Sequence, residues 1–198
     1  GGTAPPAVAF RFSRDRSGEH PTGHLAGWQG ILQADAYAGY NQLYDPKRLL
    51  GPVASALCWS HARRKFFELA DVEGNIRKGK DAKEISPIAF DAVRRIDALF
   101  DIEREINGAD PADRLEARQR LSAPLVEDLE RWLRGERALL SKHAKVAKAI
   151  DYLLAPNHWP GFTRFLDDGR LDGVVNNAGI LRDMIFHKMS VEAFEIGR

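Results

Sequence analysis

Asp35 closes the short apolar run GILQADAY (Gly30 to Tyr37), and further along Cys58 and His61 form a C-x-x-H element inside ALCWSHARRKFFELAD. A carboxylate at the end of such a run is rigidly placed, and the common use of Asp there is to cap a short helix, here one beginning AYAGYN. Cys58 and His61 are zinc ligands by type, but one such pair does not complete a tetrahedral site, and no second pair stands at ligand spacing. They read instead as groups that pack or orient a site. Arg63, Arg64 and Lys65 follow at once, so the next helix opens with three cations that either contact phosphates or form a solvated basic face. Lys142, Lys145 and Lys148, three apart, offer a basic ridge whose plainer reading is again a solvated face. His20 and His24 are four apart, but Pro21 between them argues against a helical metal pair and for loop residues.

These groups need elements to hold them. The 198 residues, 44% of them hydrophobic, suffice for one domain or two small ones with a real core. No apolar run approaches the roughly 20 residues that span a bilayer, and GGTAPPAVAF lacks the order of a signal peptide, so the chain reads as cytoplasmic. The single cysteine excludes an internal disulfide. A net charge of +1 neither demands nor forbids a nucleic-acid partner, which leaves that question to local clusters. The start at Gly1 rather than Met reads as a cut.

The first third is α/β in character. AVAFRF (Ala7 to Phe12), GILQADAY and VASALCW (Val53 to Trp59) are short, apolar and bounded by turn residues, as strands are. HPTGHLAGWQG has room for one short helix that packs Leu25 and Trp28, and SHARRKFFELA suits a helix. From Ser86 the texture changes to long amphipathic helices. Ser86 as N-cap and Pro87 at the first position open one that repeats Val93, Ile96, Leu99 and Phe100 and stops at Asn107-Gly108. Asp110 and Pro111 open a second, which Pro124 should kink or split. ALLSKHAKVAKAIDYLLAPN is a third, ending before Pro156. Trp132 and Trp159 sit at helical spacing and read as core.

LQADAYAGYNQLY and ALCWSHARRKFFELAD, with FRFSRDRSGEHP before them and SPIAFDAVRRIDALFDIEREING, AIDYLL and WPGFTRFLDDGR after, closely resemble the transposases of the IS-66 insertion-sequence family. The resemblance runs from about Gly2 to about Gly169, in order and with near-family spacing. It implies a ribonuclease-H-like α/β core interrupted by a large all-α insertion, predominantly helical overall. The expected division is residues 1–79 as a partial core, 80–156 as the helical insertion, 157–169 as a return toward the core, and 170–198 as an out-of-family tail. The implied chemistry is phosphoryl transfer at DNA by two Asp and one Glu holding two divalent ions, usually Mg2+. Asp35 matches the second Asp of that motif and so becomes the expected catalytic metal ligand. Cys58 and His61 match the family's C-x-x-H element, and Arg63, Arg64 and Lys65 become DNA-contact candidates. The implied partners are transposon-end and target DNA, with a homo-oligomer possible.

The chain also departs from that pattern. The first Asp of the motif belongs on a strand upstream of Gly1. The Glu belongs to a motif like D-N-N-A-A-E-R after FLDDGR, where this chain reads LDGVVNNAGILRD: Gly179 and Ile180 stand in the places of Ala and Glu, and an isoleucine binds no magnesium. Asp183, Glu192 and Glu195 are the nearby carboxylates, and nothing in their spacing recommends them. The NNAG of Asn176 to Gly179, continuing into ILRDMIFHKMSVEAFE, resembles instead a short-chain dehydrogenase/reductase segment. Such an enzyme needs a strand running into a glycine-rich turn. The nearest approach, TGHLAGWQG, follows a polar, proline-broken stretch, and Tyr-x-x-x-Lys is absent. The expectation is a transposase remnant, inactive in strand transfer and joined at about Gly169 to Leu171 to another sequence. A non-catalytic DNA-binding or interaction remnant is the alternative, and an NAD(P)-dependent dehydrogenase the less favoured third.

Overall fold

In the computed structural model, residues 12–15, 17–70 and 86–171 are described. Of the strand expected over Ala7 to Phe12 only Phe12 falls within them, and residues 71–85 and the tail from residue 172 lie outside.

Two short strands form a parallel pair: β1 (Ile31–Ala34) beside β2 (Ala54–Leu57), in the register Ile31 opposite Ala54 and Ala34 opposite Leu57. Both fall within the runs expected to be strands. Parallel neighbours need a crossover. Here it is a 3-10 helix (Ala38–Tyr44), whose Leu43 is fully buried, followed by a turn in which Gly51 takes a positive φ of 79°. Arg48 fastens this turn by donating to the carbonyls of Leu25, Trp28 and Gly51 at 2.7, 2.7 and 2.9 Å. Before β1 lies α1 (Glu19–His24). It contains His20 and His24, so these are helical rather than loop residues: Pro21 falls in the first turn, where its missing N–H costs nothing. His20 Nε2 pairs with Asp15 at 2.8 Å. Trp28, expected to pack, is 37% exposed, because the helix ends before it at His24.

From β2 the chain passes directly into α2 (Trp59–Ala70). The helical part follows as α3 (Pro87–Glu105), α4 (Pro111–Ala117), a π-helical turn (Arg118–Ser122), α5 (Ala123–Leu139), α6 (Lys145–Leu154) and α7 (Trp159–Thr163), with a closing 3-10 turn (Arg164–Leu166). The expected caps are formed. Ser86 Oγ accepts from the Ala89 N–H at 3.2 Å, and Asp110 accepts from Ala112 and Asp113 at 2.9 and 3.1 Å. Pro124 leaves the carbonyl four residues earlier without its helical donor, and the register changes in the π turn just before it. The third helix is shorter than expected. Leu140 is extended, and Ser141 Oγ accepts from the His143 N–H at 3.3 Å, a local side-chain bond that competes with helix, so α6 begins only at Lys145.

One core joins both regions. Leu57 of β2 and Trp59, Ala62 and Phe66 of α2 pack with Val93, Ile96 and Leu99 of α3, Val126, Leu129 and Leu133 of α5, Ile150 and Leu153 of α6, and Phe162 and Phe165. Trp132 and Trp159 pack against its edge, half-buried. Trp59 is the hub: its ring lies 5.1 Å from that of Phe162, and its Nε1 donates to the Phe162 carbonyl at 3.0 Å. Ion pairs stitch the helices at the surface, Arg63 to Asp97, Arg95 to Asp128 and Arg137 to Asp151. No described helix is long and apolar enough to cross a membrane.

Candidate functional site

The carboxyl ends of parallel strands are where α/β folds place chemistry, since the chain turns away there and leaves a crevice. Asp35 is the first residue past β1. Cys58 is the first past β2, and its N–H donates to the Ala34 carbonyl at 3.1 Å, which carries the ladder one step on and sets Cys58 beside Asp35. Asp35 does not cap the 3-10 helix, whose N-cap is Tyr37 with no side-chain bond. Its Oδ1 instead accepts from the Tyr37 N–H at 3.3 Å, closing a local turn just past the strand.

His61 stands in the first turn of α2, its N–H donating to the Cys58 carbonyl at 3.1 Å, so the C-x-x-H spacing is the geometry of a strand running into a helix. Burial lowers the imidazole pKa, the Asp35 charge works against this, and Lys65 and Arg64 lower it further. His61 is thus neutral at neutral pH, close enough to Asp35 to feel its charge.

Tyr152 of α6, which the sequence reading did not single out, completes the cluster. Burial raises its phenol pKa, a backbone hydrogen bond from Ala36 opposes this, and the Asp35 and Cys58 charges raise it again. Its ring lies 6.2 Å from that of His61 and 5.0 Å from that of His158, and the Lys65 ammonium sits 4.3 Å above it. His158 is held by its Nδ1 at 2.7 Å from the Tyr152 carbonyl. Tyr44 adds a buried hydroxyl that faces Ser55 without reaching hydrogen-bond geometry; burial raises its pKa. The signal that could have found Tyr152 was its place one turn beyond Lys148 in the family-like AIDYLL.

The three cations after His61 part company. Arg63 is committed to Asp97 through Nε and Nη2 at 2.5 and 2.9 Å, with its guanidinium also over the Phe67 ring. Lys65 lies on Tyr152, and Arg64 is exposed. Asp35, Cys58, His61 and Lys65 are brought together; Arg63 belongs to the joint between α2 and α3.

Among the described residues no three His, Cys, Asp or Glu side chains converge to hold a metal ion. One hard carboxylate flanked by a thiol and an imidazole is not a donor set for magnesium, which takes oxygen ligands, so these residues alone do not fit the ion.

Against known proteins, the chain is 51% identical over 179 residues to "Uncharacterized protein y4hP" of Sinorhizobium fredii (strain NBRC 101917 / NGR234), covering 90% of this chain and 32% of that protein. It is 38% identical over 173 residues to "Uncharacterized protein y4jD" of the same strain, covering 86% of this chain and 31% of that one. The chain thus spans about a third of the length of the curated relatives it matches. No solved structure matches it. A family profile described as "Transposase IS66 family" matches residues 1–179, continuing past Gly169 to take in Asn176, Asn177, Ala178 and Gly179. With nine-tenths of its length inside that match, the chain belongs to the transposase IS66 family.

Proposed function

We propose that the chain is the part of an IS66-type transposase that carries the second catalytic Asp, Asp35, on a ribonuclease-H-like core, within a protein that moves DNA by phosphoryl transfer. The observation that carries this reading is the placement of Asp35. It leaves the carboxyl end of β1, beside the end of a parallel strand, in a family whose name is transposase. In this reading Asp35 is one carboxylate of a magnesium centre. Cys58 fixes the strand-to-helix passage, His61 presents a neutral imidazole to the site, and Tyr152 anchors the main chain just after Asp35 through Ala36. The helices from α3 to α6 are an insertion packed onto the core, and DNA is the partner.

In the same reading the chain binds DNA without carrying out strand transfer on its own. Ile180, just past the end of the family match, stands where the family motif leads to Glu. A duplex carrying transposon ends, incubated with the purified chain and magnesium, should be retained on the protein and remain uncut. Cleavage or joining that disappears in Asp35→Ala would overturn the inactive reading. Failure to retain DNA at low salt would overturn the transposase reading itself.

A further inference from the structure

On the helical surface many arginines are neutralised, although the exposed Arg94 and Arg120 form no ion pair among the described residues. Arg63 pairs with Asp97, Arg95 with Asp91 and Asp128, Arg131 with Asp128, Arg134 with Glu130, and Arg137 with Asp151. Arg64 of α2 and Lys145 and Lys148 of α6 are likewise exposed, and none makes an ion pair among the described residues. They also adjoin. Lys65, next to Arg64, sits on the Tyr152 ring at 4.3 Å. Tyr152 lies one turn beyond Lys148 and two beyond Lys145, so Lys145, Lys148 and Tyr152 share one side of α6. Asp151, next to Tyr152 in the chain, is engaged by Arg137 on both carboxylate oxygens, at 2.6 and 3.1 Å, while Glu68 stands one turn beyond Arg64 on α2. In a chain of net charge +1 this is a local excess, and it ends at the cluster around Asp35, whose charge reaches both His61 and Tyr152.

We propose that Arg64, Lys65, Lys148 and Lys145 form a phosphate track across α2 and α6 that lays the backbone of duplex DNA along the helical region toward Asp35. The track rests on the transposase reading and deepens it, because it names the surface that holds the substrate. Along α6 the two lysines and the tyrosine span about 10 Å at a rise of 1.5 Å per residue, enough for a few phosphates of one strand. Tyr152 is the spacer, holding the two helices' cations in one row.

The test is binding of a fluorescent duplex to the full chain as a function of salt. The pair Lys145→Gln/Lys148→Gln should weaken binding and reduce the slope of log affinity against log salt by about 2, roughly one for each lost phosphate contact. The charge-matched pair Arg131→Gln/Arg134→Gln, on exposed α5 positions, should leave both quantities unchanged, with circular dichroism confirming that each variant is folded. Equal losses from the two pairs, or no loss from the α6 pair, would overturn the track while leaving DNA binding intact. A parent chain that binds no duplex would instead remove the reading beneath it.

Discussion

Arg118 and Glu103 form a bidentate ion pair inside the helical region, Nε to Oε1 at 2.8 Å and Nη2 to Oε2 at 2.7 Å, with Arg118 fully buried. The arginine sits in the π turn, and its remaining N–H groups reach the carbonyls of Asp168 and Leu171 at 3.1 and 2.9 Å and of Phe165 at 3.4 Å. One guanidinium therefore docks the segment that leads out of the helices. A buried charge stripped of its partner is costly, so Glu103→Ala should destabilise the chain by about 3–5 kcal/mol in denaturant unfolding. Replacing both side chains by apolar ones, Arg118→Met with Glu103→Leu, should recover part of that loss. It should not recover all of it, because three carbonyls lose their donor. A double variant less stable than Glu103→Ala would refute this account.

Gly169 lies between two of those carbonyls, and a Cβ built there would stand 1.8 Å from the Pro111 carbonyl oxygen and 3.1 Å from Leu115 Cβ. The contact is with backbone at the start of α4, which Asp110 and Pro111 hold in place. Gly169→Ala must therefore push the segment off α4 or unseat the cap. The expected loss is at least the roughly 1–3 kcal/mol of overpacking, read from the urea midpoint. Asp167→Ala, two residues away and exposed, should change stability by less than about 0.5 kcal/mol. Comparable effects from the two substitutions would show that close packing at Gly169 is not the cause.

Tyr152→Phe tests the link between α6 and the turn after Asp35. The ring contacts with His61, His158 and Phe162 survive the change, and only the acceptor for Ala36 is lost. Leaving that amide without its partner should cost about 1–3 kcal/mol, and amide exchange at Ala36 should speed up more than exchange within β2. Uniform acceleration everywhere would mean that Tyr152 supports global stability alone.

Much of this architecture is written in local chemistry. Ser86-Pro87 and Asp110-Pro111 announce helix starts because a cap and a proline satisfy the first turn by themselves. The β1 and β2 runs are legible because each is a short apolar stretch between turns. Asp35 stands out through family likeness, since capping would have been the better reading of the residue alone, and the Tyr37 turn shows that it does not cap the helix that follows. What stays hidden depends on distant partners. Arg63 shares with Arg64 and Lys65 the two readings of phosphate contact and solvated face, and nothing near it in the chain points to Asp97, thirty-four residues along. Tyr152 does not stand out in the sequence, because nothing within α6 says that Ala36 is its neighbour. The single core shared by β2, α2 and the later helices is also a tertiary fact, which no change of texture at Ser86 reveals.

His61 gives the site a pH signature whose direction follows from its surroundings. Burial, helped by Lys65 and Arg64, lowers the folded-state pKa below the ordinary 6.5, although Asp35 resists. The unfolded chain therefore takes up a proton at a higher pH than the folded one. Stability at His61 is fully present above 6.5, falls as pH drops through that value, and levels off once pH is below the folded pKa. The melting temperature should accordingly decline between about pH 7 and pH 5, before most carboxylates titrate. His61→Gln, which cannot be protonated, should flatten that decline. In the Asp35→Asn variant it should steepen, because the charge that favours imidazolium in the folded state is gone. An unaltered profile in His61→Gln would assign the decline to other groups, and a shallower one in Asp35→Asn would contradict the pairing of Asp35 with His61 on which the site is built.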